Sequence, residues 1–193
     1  MKLGSHNSWT FAPKAKWWFP AFTARCQSKN IQKQYKAGVR LFDLRLQLKG
    51  STWYVAHGYC VFHANWQNDI LWLSLQEEKV YVRVFLEYNR KPQNEEFIIN
   101  EFSDLCAYLE RRFETIKFFG GILKYNCRRV HNFINTDIPQ IEGRISSDTS
   151  LFKSDNRFLA ILDDLWPWLY AFLHNKKSYA NHDTNKYLFL DFI

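Results

Sequence analysis

Hydrophobic positions in this chain change period from segment to segment, and each change marks an element. Between Gly38 and Gln47, Leu41, Phe42, Leu44 and Leu46 form the near-continuous apolar run of a parallel strand covered on both faces. Residues 80–88 alternate, with Tyr81, Arg83, Phe85 and Glu87 on one face and Val82, Val84 and Leu86 on the other. Residues 94–114 carry Phe97, Ile98, Phe102, Leu105 and Leu109 at helical spacing, leaving Glu110, Arg111 and Arg112 on a solvated face. A short helix is predicted over 30–36, with Ser28 or Asn30 as N-cap and Gly38 as its stop. A second helix is predicted over 68–79 and a third over 155–174, interrupted near Pro167.

Further strands are predicted at 2–5, 52–56, 117–125 (bulged at Gly120-Gly121), 140–146 and 187–193, with a surface turn at 127–131 and a loop over 175–186. The tight Lys49-Gly50-Ser51 turn makes 52–56 antiparallel to the strand before it. Strands alternating with helices, with no linker composition or repeat, predict one α/β domain over 1–193. The expected architecture is a small TIM-type (β/α) barrel near its minimum size, with no closing helix after the last strand, so that one seam can stay incomplete.

Composition narrows the partners. A net charge of +7 favours an anionic partner: a phosphate ester, an anionic membrane surface or nucleic acid. Cys26, Cys60, Cys106 and Cys127 form no CxxC pair and no metal-ligand spacing, so buried free thiols are expected rather than a disulfide framework. The chain opens without an apolar signal region and has no apolar run long enough to span a bilayer, so a soluble protein is expected, secreted or cytoplasmic.

The strand at 38–47 carries Asp43 and Arg45, which share a face because they are two residues apart. Burying either charge alone costs several kcal/mol, so they pair with each other, as a structural ion pair, or with a group brought to them. Two other fragments bear on that choice: Gly4-Ser5-His6-Asn7-Ser8 near the start and Trp53-Tyr54-Val55-Ala56-His57-Gly58 after the charged strand. Two histidines that each follow a strand, with an Asp-x-Arg between them, supply an acid, a base and a cation for an anionic transition state.

The order "GSHNS", "CQ…IQKQYKAGVRLFDLRL", "WYVAHG" resembles the catalytic X region of phosphatidylinositol-specific phospholipase C, most closely over roughly the first sixty residues. That resemblance implies a phosphoric diester hydrolase, working on a phospholipid or inositol phosphodiester through a cyclic phosphate. It implies His6 as base, His57 as acid, Arg45 as clamp and Asp43 as the group that holds Arg45 or a histidine in place. It places Asp191, in the apolar-Asp-aromatic ending of the last strand, behind the base. Asn7 and Glu87 fall at substrate-facing positions, and Lys124 and Arg144 stand at strand ends where they could meet phosphate or hydroxyls.

The implied reaction needs no cofactor, because calcium-dependent members have a carboxylate where this chain has Arg45. The alternative is a calcium site on Asn7, Asp43 and Glu87, since Glu87 matches the carboxylate of the metal-dependent type. A monomer without a nucleic-acid partner is expected. Residues 9–20 read either as a packed aromatic loop or as an interfacial patch through Trp17, Trp18 and Phe19, where Trp beside Lys suits a headgroup layer. The competing functions are a metal-dependent glycerophosphodiester or sphingomyelin phosphodiesterase on the same fold, and a non-catalytic membrane- or nucleic-acid-binding module.

Overall fold

The computed structural model describes residues 1–13, 24–135, 137–143 and 167–193. Among them, one sheet contains β1 (Lys2–Ser5), β2 (Val39–Lys49), β3 (Thr52–His57), β4 (Cys60–Phe62), β5 (Val80–Leu86), β6 (Ile116–Leu123), β7 (Arg128–Arg129), β8 (Ile141–Gly143) and β9 (Tyr187–Leu190). The helices are α1 (Ile31–Lys36), α2 (Trp66–Ser74), α3 (Glu95–Arg112) and α4 (Pro167–Ala180). The spine runs β6-β5-β2-β1-β9-β8 with every neighbouring pair parallel. β3 pairs antiparallel with β2 and with β4, and β7 pairs antiparallel with the outer edge of β6. Among the described residues no pairing joins β7 to β8.

Period-two alternation sorts the strands into two cores. Leu3, Phe42, Leu44, Leu46, Val82, Val84, Leu86, Leu188 and Leu190 pack in one large cluster with Ile70 and Leu73 of α2 and Phe102, Cys106 and Leu109 of α3. The opposite face holds the small cluster Leu41, Tyr81, Phe119 and Phe189, with Gly4 packed so closely that an added Cβ would lie 2.6 Å from the Phe189 ring. That small cluster floors the polar site: further along the same strands, the same face carries Asp43, Arg45, Arg83 and Asp191.

Local signals placed most elements. Asn30 caps α1, accepting from the Lys33 N–H at 2.9 Å, and Gly38 follows in the left-handed region at φ 96°. Gly120 and Gly121, both at positive φ, produce the expected bulge: register shifts between Val84 and Phe85 across β5 and β6.

Other expectations need correction. α2 spans Trp66–Ser74 rather than 68–79, and the apolar Leu71 and Leu75 of its pattern are exposed. α4 runs from Pro167 to Ala180, into the predicted loop, and the predicted interruption near Pro167 borders residues outside the described ones. Residues 155–166 lie outside the described residues. The turn at 127–131 contains the short strand β7, and the hairpin strand β4 follows the Gly58 turn unforeseen. Glu110 is partly buried and accepts the backbone N–H groups of Ile134 and Asn135 at 2.7 and 3.3 Å, so it caps a loop rather than facing solvent. His131, expected at the surface, is partly buried, sharing a 3.0 Å hydrogen bond with Ser103 Oγ. Three thiols are buried as expected, while Cys127 is exposed.

Candidate active site

Register explains why residues distant in sequence meet. β1 pairs in parallel with β9, Ser5 opposite Leu190, and the His6 N–H continues the ladder to the Leu190 carbonyl at 2.9 Å. His6 and Asp191 therefore leave the two strand ends side by side, with His6 Nδ1 2.7 Å from Asp191 Oδ1. β2 pairs with β5 with Asp43 opposite Arg83, and the Glu87 N–H bonds the Leu46 carbonyl at 2.7 Å. Asn7, at φ 46°, takes the left-handed conformation that asparagine tolerates, and its N–H donates to Asp43 Oδ2 at 3.1 Å. Gly58, at φ 60°, turns the β3–β4 hairpin so that its N–H meets Glu87 Oε1 at 2.9 Å, while His57 stands at the end of β3.

Arg45 occupies the middle. Its Nε donates to Asp43 Oδ2 at 2.9 Å, its Nη2 to His6 Nε2 at 2.9 Å, and its Nη1 lies 3.6 Å from Glu87 Oε2. Because Nε2 of His6 accepts from Arg45, the ring proton belongs on Nδ1, facing Asp191. The imidazoles of His6 and His57 lie with ring centroids 6.0 Å apart, nearly perpendicular. His57 Nδ1 faces the Ala24 carbonyl at 2.9 Å and Cys26 Sγ at 3.7 Å, leaving Nε2 for another partner.

The charges balance. Asp43, Glu87 and Asp191 are buried carboxylates; Arg45, Arg83 and the Lys124 ammonium, which bonds Glu87 Oε1, are the matching cations. Burial alone would raise Asp43, yet Arg45 and Arg83 hold it well below the usual carboxylate range, and Arg45 and Lys124 do the same for Glu87. Burial lowers His6 despite the opposing pull of Asp191, and desolvation with the Arg45 charge pushes His57 down to about 3. Both imidazoles are therefore neutral near pH 7 in the unliganded site.

Of the residues singled out from sequence, His6, Asn7, Asp43, Arg45, His57, Glu87, Lys124 and Asp191 come together; Arg144, Trp17, Trp18 and Phe19 lie outside the described residues. Asn7, expected at a substrate-facing position, is buried, with its Nδ2 3.2 Å from His6 Nε2 and 3.5 Å from Cys26 Sγ. Sequence reasoning missed Arg83, whose Nε bonds Asp43 Oδ1 at 2.9 Å beneath the site, with its guanidinium over the Phe85 and Phe189 rings. It also missed Cys26 and Gln27, although both stand in the quoted "CQ". Gln27 Nε2 donates to the carbonyls of His6 and Leu190 at 3.1 and 2.9 Å, stapling β1 to β9. The alternative calcium set does not fit, because the oxygens of Asp43 and Glu87 are engaged by guanidinium, ammonium and backbone N–H groups rather than open to a hard cation.

This is a mixed α/β chain built on a large parallel sheet, with two imidazoles, a guanidinium and paired carboxylates at the carboxyl ends of its strands. The solved structures that it matches share this fold. A double mutant of phosphatidylinositol-specific phospholipase C from Staphylococcus aureus superimposes with TM-score 0.60 at 18% identity, over 99% of this chain and 84% of that one. Another structure of the S. aureus enzyme, concerned with modulation of its membrane binding, gives TM-score 0.54 at 14% identity over 99% and 85%. The phosphatidylinositol-specific phospholipase C from Listeria monocytogenes gives TM-score 0.51 at 14% identity over 99% and 87%. No protein-family model and no curated relative matches the sequence. No helix among the described residues is long and apolar enough to cross a membrane.

Proposed function

We propose that this chain is a metal-independent phosphodiesterase on a (β/α) barrel, cleaving phosphatidylinositol or a related lipid by intramolecular attack. The observation that carries the reading is the His6–Asp191 pair and His57 facing one another across Arg45. A substrate hydroxyl displaces the Arg45 N–H from His6 Nε2, and the freed guanidinium takes the non-bridging phosphate oxygens. His6 Nε2 accepts the hydroxyl proton while that oxygen bonds to phosphorus. The bond to the diacylglycerol oxygen breaks, and His57 Nε2 delivers a proton to it. Asp191 holds the Nδ1 proton of His6 and stabilises the imidazolium that forms, so each acid or base step contributes roughly 10²–10⁴ in rate.

The neutral His57 of the unliganded site fits this scheme through charge balance. Burial and, after it, the Arg45 charge hold His57 down; a phosphodiester monoanion beside Arg45 offsets the second and favours a proton on the imidazole as substrate arrives. Lys124, partly exposed at the pocket edge, contributes a further cation toward the phosphate, and Arg144 is assigned the same task. The aromatic-lysine segment with Trp17, Trp18 and Phe19 is assigned to the lipid surface, a reading in keeping with the membrane binding of the S. aureus enzyme.

The test is phosphorus NMR of the protein with phosphatidylinositol vesicles and a chelator. A five-membered cyclic phosphate signal, abolished by His6→Ala and separately by His57→Ala, is expected. Unchanged turnover in either variant refutes the roles, and activity lost to the chelator returns the metal-dependent alternative. Replacing Trp17 and Trp18 by alanine should weaken vesicle binding while sparing turnover of a water-soluble inositol phosphodiester.

A further inference from the structure

Cys26 has no role in that reaction, yet it sits fully buried against the catalytic groups. A ring nitrogen of His6, the Cys26 thiol and an Asp191 oxygen all lie within 4.8 Å of one another. They come from three separate parts of the chain, so no ligand spacing in the sequence announces them. The scaffold around them is tied down. The Cys26 N–H donates to Thr10 Oγ1 at 2.9 Å, its carbonyl accepts the Phe192 N–H at 2.7 Å, and Gln27 links β1 to β9. Asn7 stands against the same cluster, only 2% exposed, and its Oδ1 has no hydrogen-bond partner among the described residues.

We propose that His6, Cys26 and Asp191 form a site for a thiophilic divalent cation such as zinc, and that occupancy shuts the catalytic pocket. Imidazole, thiolate and carboxylate are the ligand types zinc takes tetrahedrally, with bonds of roughly 2.0–2.3 Å. Those bond lengths put ligand atoms about 3.3–3.8 Å apart, so His6 Nδ1 and Asp191 Oδ1, now 2.7 Å apart, open to admit the ion while the thiol stays within reach of both. His57 Nδ1, already 3.7 Å from Cys26 Sγ, has the spacing of a fourth ligand. A turned-over Asn7 amide, or water, is the other candidate for that place.

Binding exchanges the thiol proton for the metal: the Cys26 S–H bond is lost, an S–Zn bond forms and one proton leaves to solvent. The His6 ring proton moves from Nδ1 to Nε2, which gives up the Arg45 N–H so that Nδ1 can ligate. The loaded site as a whole gains one positive charge, because Asp191 is also counted against Arg45, Arg83 and Lys124, while thiolate and carboxylate offset the two charges of the ion directly. This separates the site from the oxygen set of Asp43 and Glu87, which Arg45 and Lys124 already neutralise. His57, which touches the thiol at 3.7 Å, is partly exposed. With His6 and Asp191 ligating, the proposed base is consumed. That consequence rests on the catalytic reading, whereas binding itself does not.

Binding is therefore tested first, without any assay of turnover. The full chain is titrated with Co²⁺ and followed by absorption, then with Zn²⁺ against a chromophoric chelator. Tetrahedral cobalt bands with a thiolate-to-cobalt charge-transfer band are expected, and zinc should displace the cobalt. Cys26→Ser should remove the charge-transfer band and weaken zinc binding by more than the roughly 10–100-fold typical of losing an outer-shell partner. Asp191→Asn should weaken it while keeping the band, and Cys127→Ser, which alters the exposed thiol, should change neither. Absence of a charge-transfer band in the unsubstituted protein overturns the proposal whatever the variants do, as does a band that survives Cys26→Ser. Zinc inhibition of phosphodiester cleavage that disappears in Cys26→Ser then supports the shut-off; tight zinc binding that leaves turnover unchanged refutes the shut-off alone.

Discussion

Replacing Asp43 by asparagine tests how the site is held together. Its carboxylate accepts Arg45 Nε and Arg83 Nε at 2.9 Å each and the Asn7 N–H at 3.1 Å, and it is fully buried. An amide keeps one acceptor oxygen but turns an NH₂ toward donors on the other side. Arg45 retains Glu87 at 3.6 Å, whereas Arg83 is left with only the faces of Phe85 and Phe189. Weakening two charge-assisted bonds, at roughly 1.5–3 kcal/mol each, and removing one partner of a buried ion pair, at roughly 3–5 kcal/mol, are two views of one loss. We take about 4 kcal/mol, which for a domain of this length lowers Tm by about 8–16 °C.

Urea unfolding followed by circular dichroism and tryptophan fluorescence measures the loss, and three further results check the reasoning. Arg83→Met leaves Asp43 still bonded to Arg45 and Asn7 and should cost less than Asp43→Asn. The double variant should be more stable than the sum of the single losses, because methionine removes the cation that asparagine strands. Asp43 is held below the ordinary carboxylate value, so its contribution is complete above about pH 4 and fades as pH falls further. The Asp43→Asn variant should therefore lose less stability than the unsubstituted protein on acidification below pH 4. A single substitution within about 1 kcal/mol of the parent, or strictly additive losses, would show that the two guanidinium groups do not depend on this carboxylate.

Other outcomes follow from the same geometry. Asp191→Asn should lower kcat by roughly 10²–10⁴ with little change in KM, because it disturbs the tautomer and the stabilised imidazolium rather than the phosphate contacts; a change confined to KM refutes that role. Calorimetry of a non-hydrolysable anionic phosphodiester at pH 7, run in buffers of different ionisation enthalpy, should reveal proton uptake that is lost in His57→Gln; buffer-independent heats would exclude substrate-assisted protonation. Because the native imidazoles of His6 and His57 resist protonation, the unfolded chain binds more protons as pH falls below about 6.5. Stability should then decline from about pH 6.5 toward 3, and less steeply in His57→Gln; an equal slope in the variant contradicts the lowered value. Phe102→Ala, in the fully buried contact of α3 with the sheet, should cost roughly 3–5 kcal/mol in urea unfolding without altering zinc or cobalt binding.

Much of this arrangement was legible because strands and short motifs write their faces into the sequence. The alternation of 80–88 put Tyr81, Arg83, Phe85 and Glu87 on one side, and all four face the polar interior with Asp43 and Arg45. The hairpin after Lys49-Gly50-Ser51 and the cap at Asn30 were equally local, and each depends on residues within a few positions. Ends of elements were harder. Leu71 and Leu75 fit a helical period but sit in solvent, because burial of α2 is decided by the sheet beside it and not by its own pattern. The hairpin strand β4 left no clear mark, since its three residues reveal nothing until Gly58 turns them back onto β3.

Arg83 marks the limit of such reading most clearly. Its face was evident, yet its purpose depends on register: a shift of one residue between β2 and β5 would place Val82 or Val84, not Arg83, beside Asp43. Cys26 is a parallel case, because the loop that brings it against His57 and Asn7 is fixed by hydrogen bonds to Thr10 and Phe192, one near the start of the chain and one near its finish. In both cases charge or thiol chemistry is set by strand order and register, which no window of sequence contains. The same dependence explains why an electroneutral site could be assembled at all. Asp43 and Glu87 come from neighbouring strands, and the parallel order β6-β5-β2 lines them against Arg45, Arg83 and Lys124, while β1 beside β9 sets His6 against the buried carboxylate of Asp191.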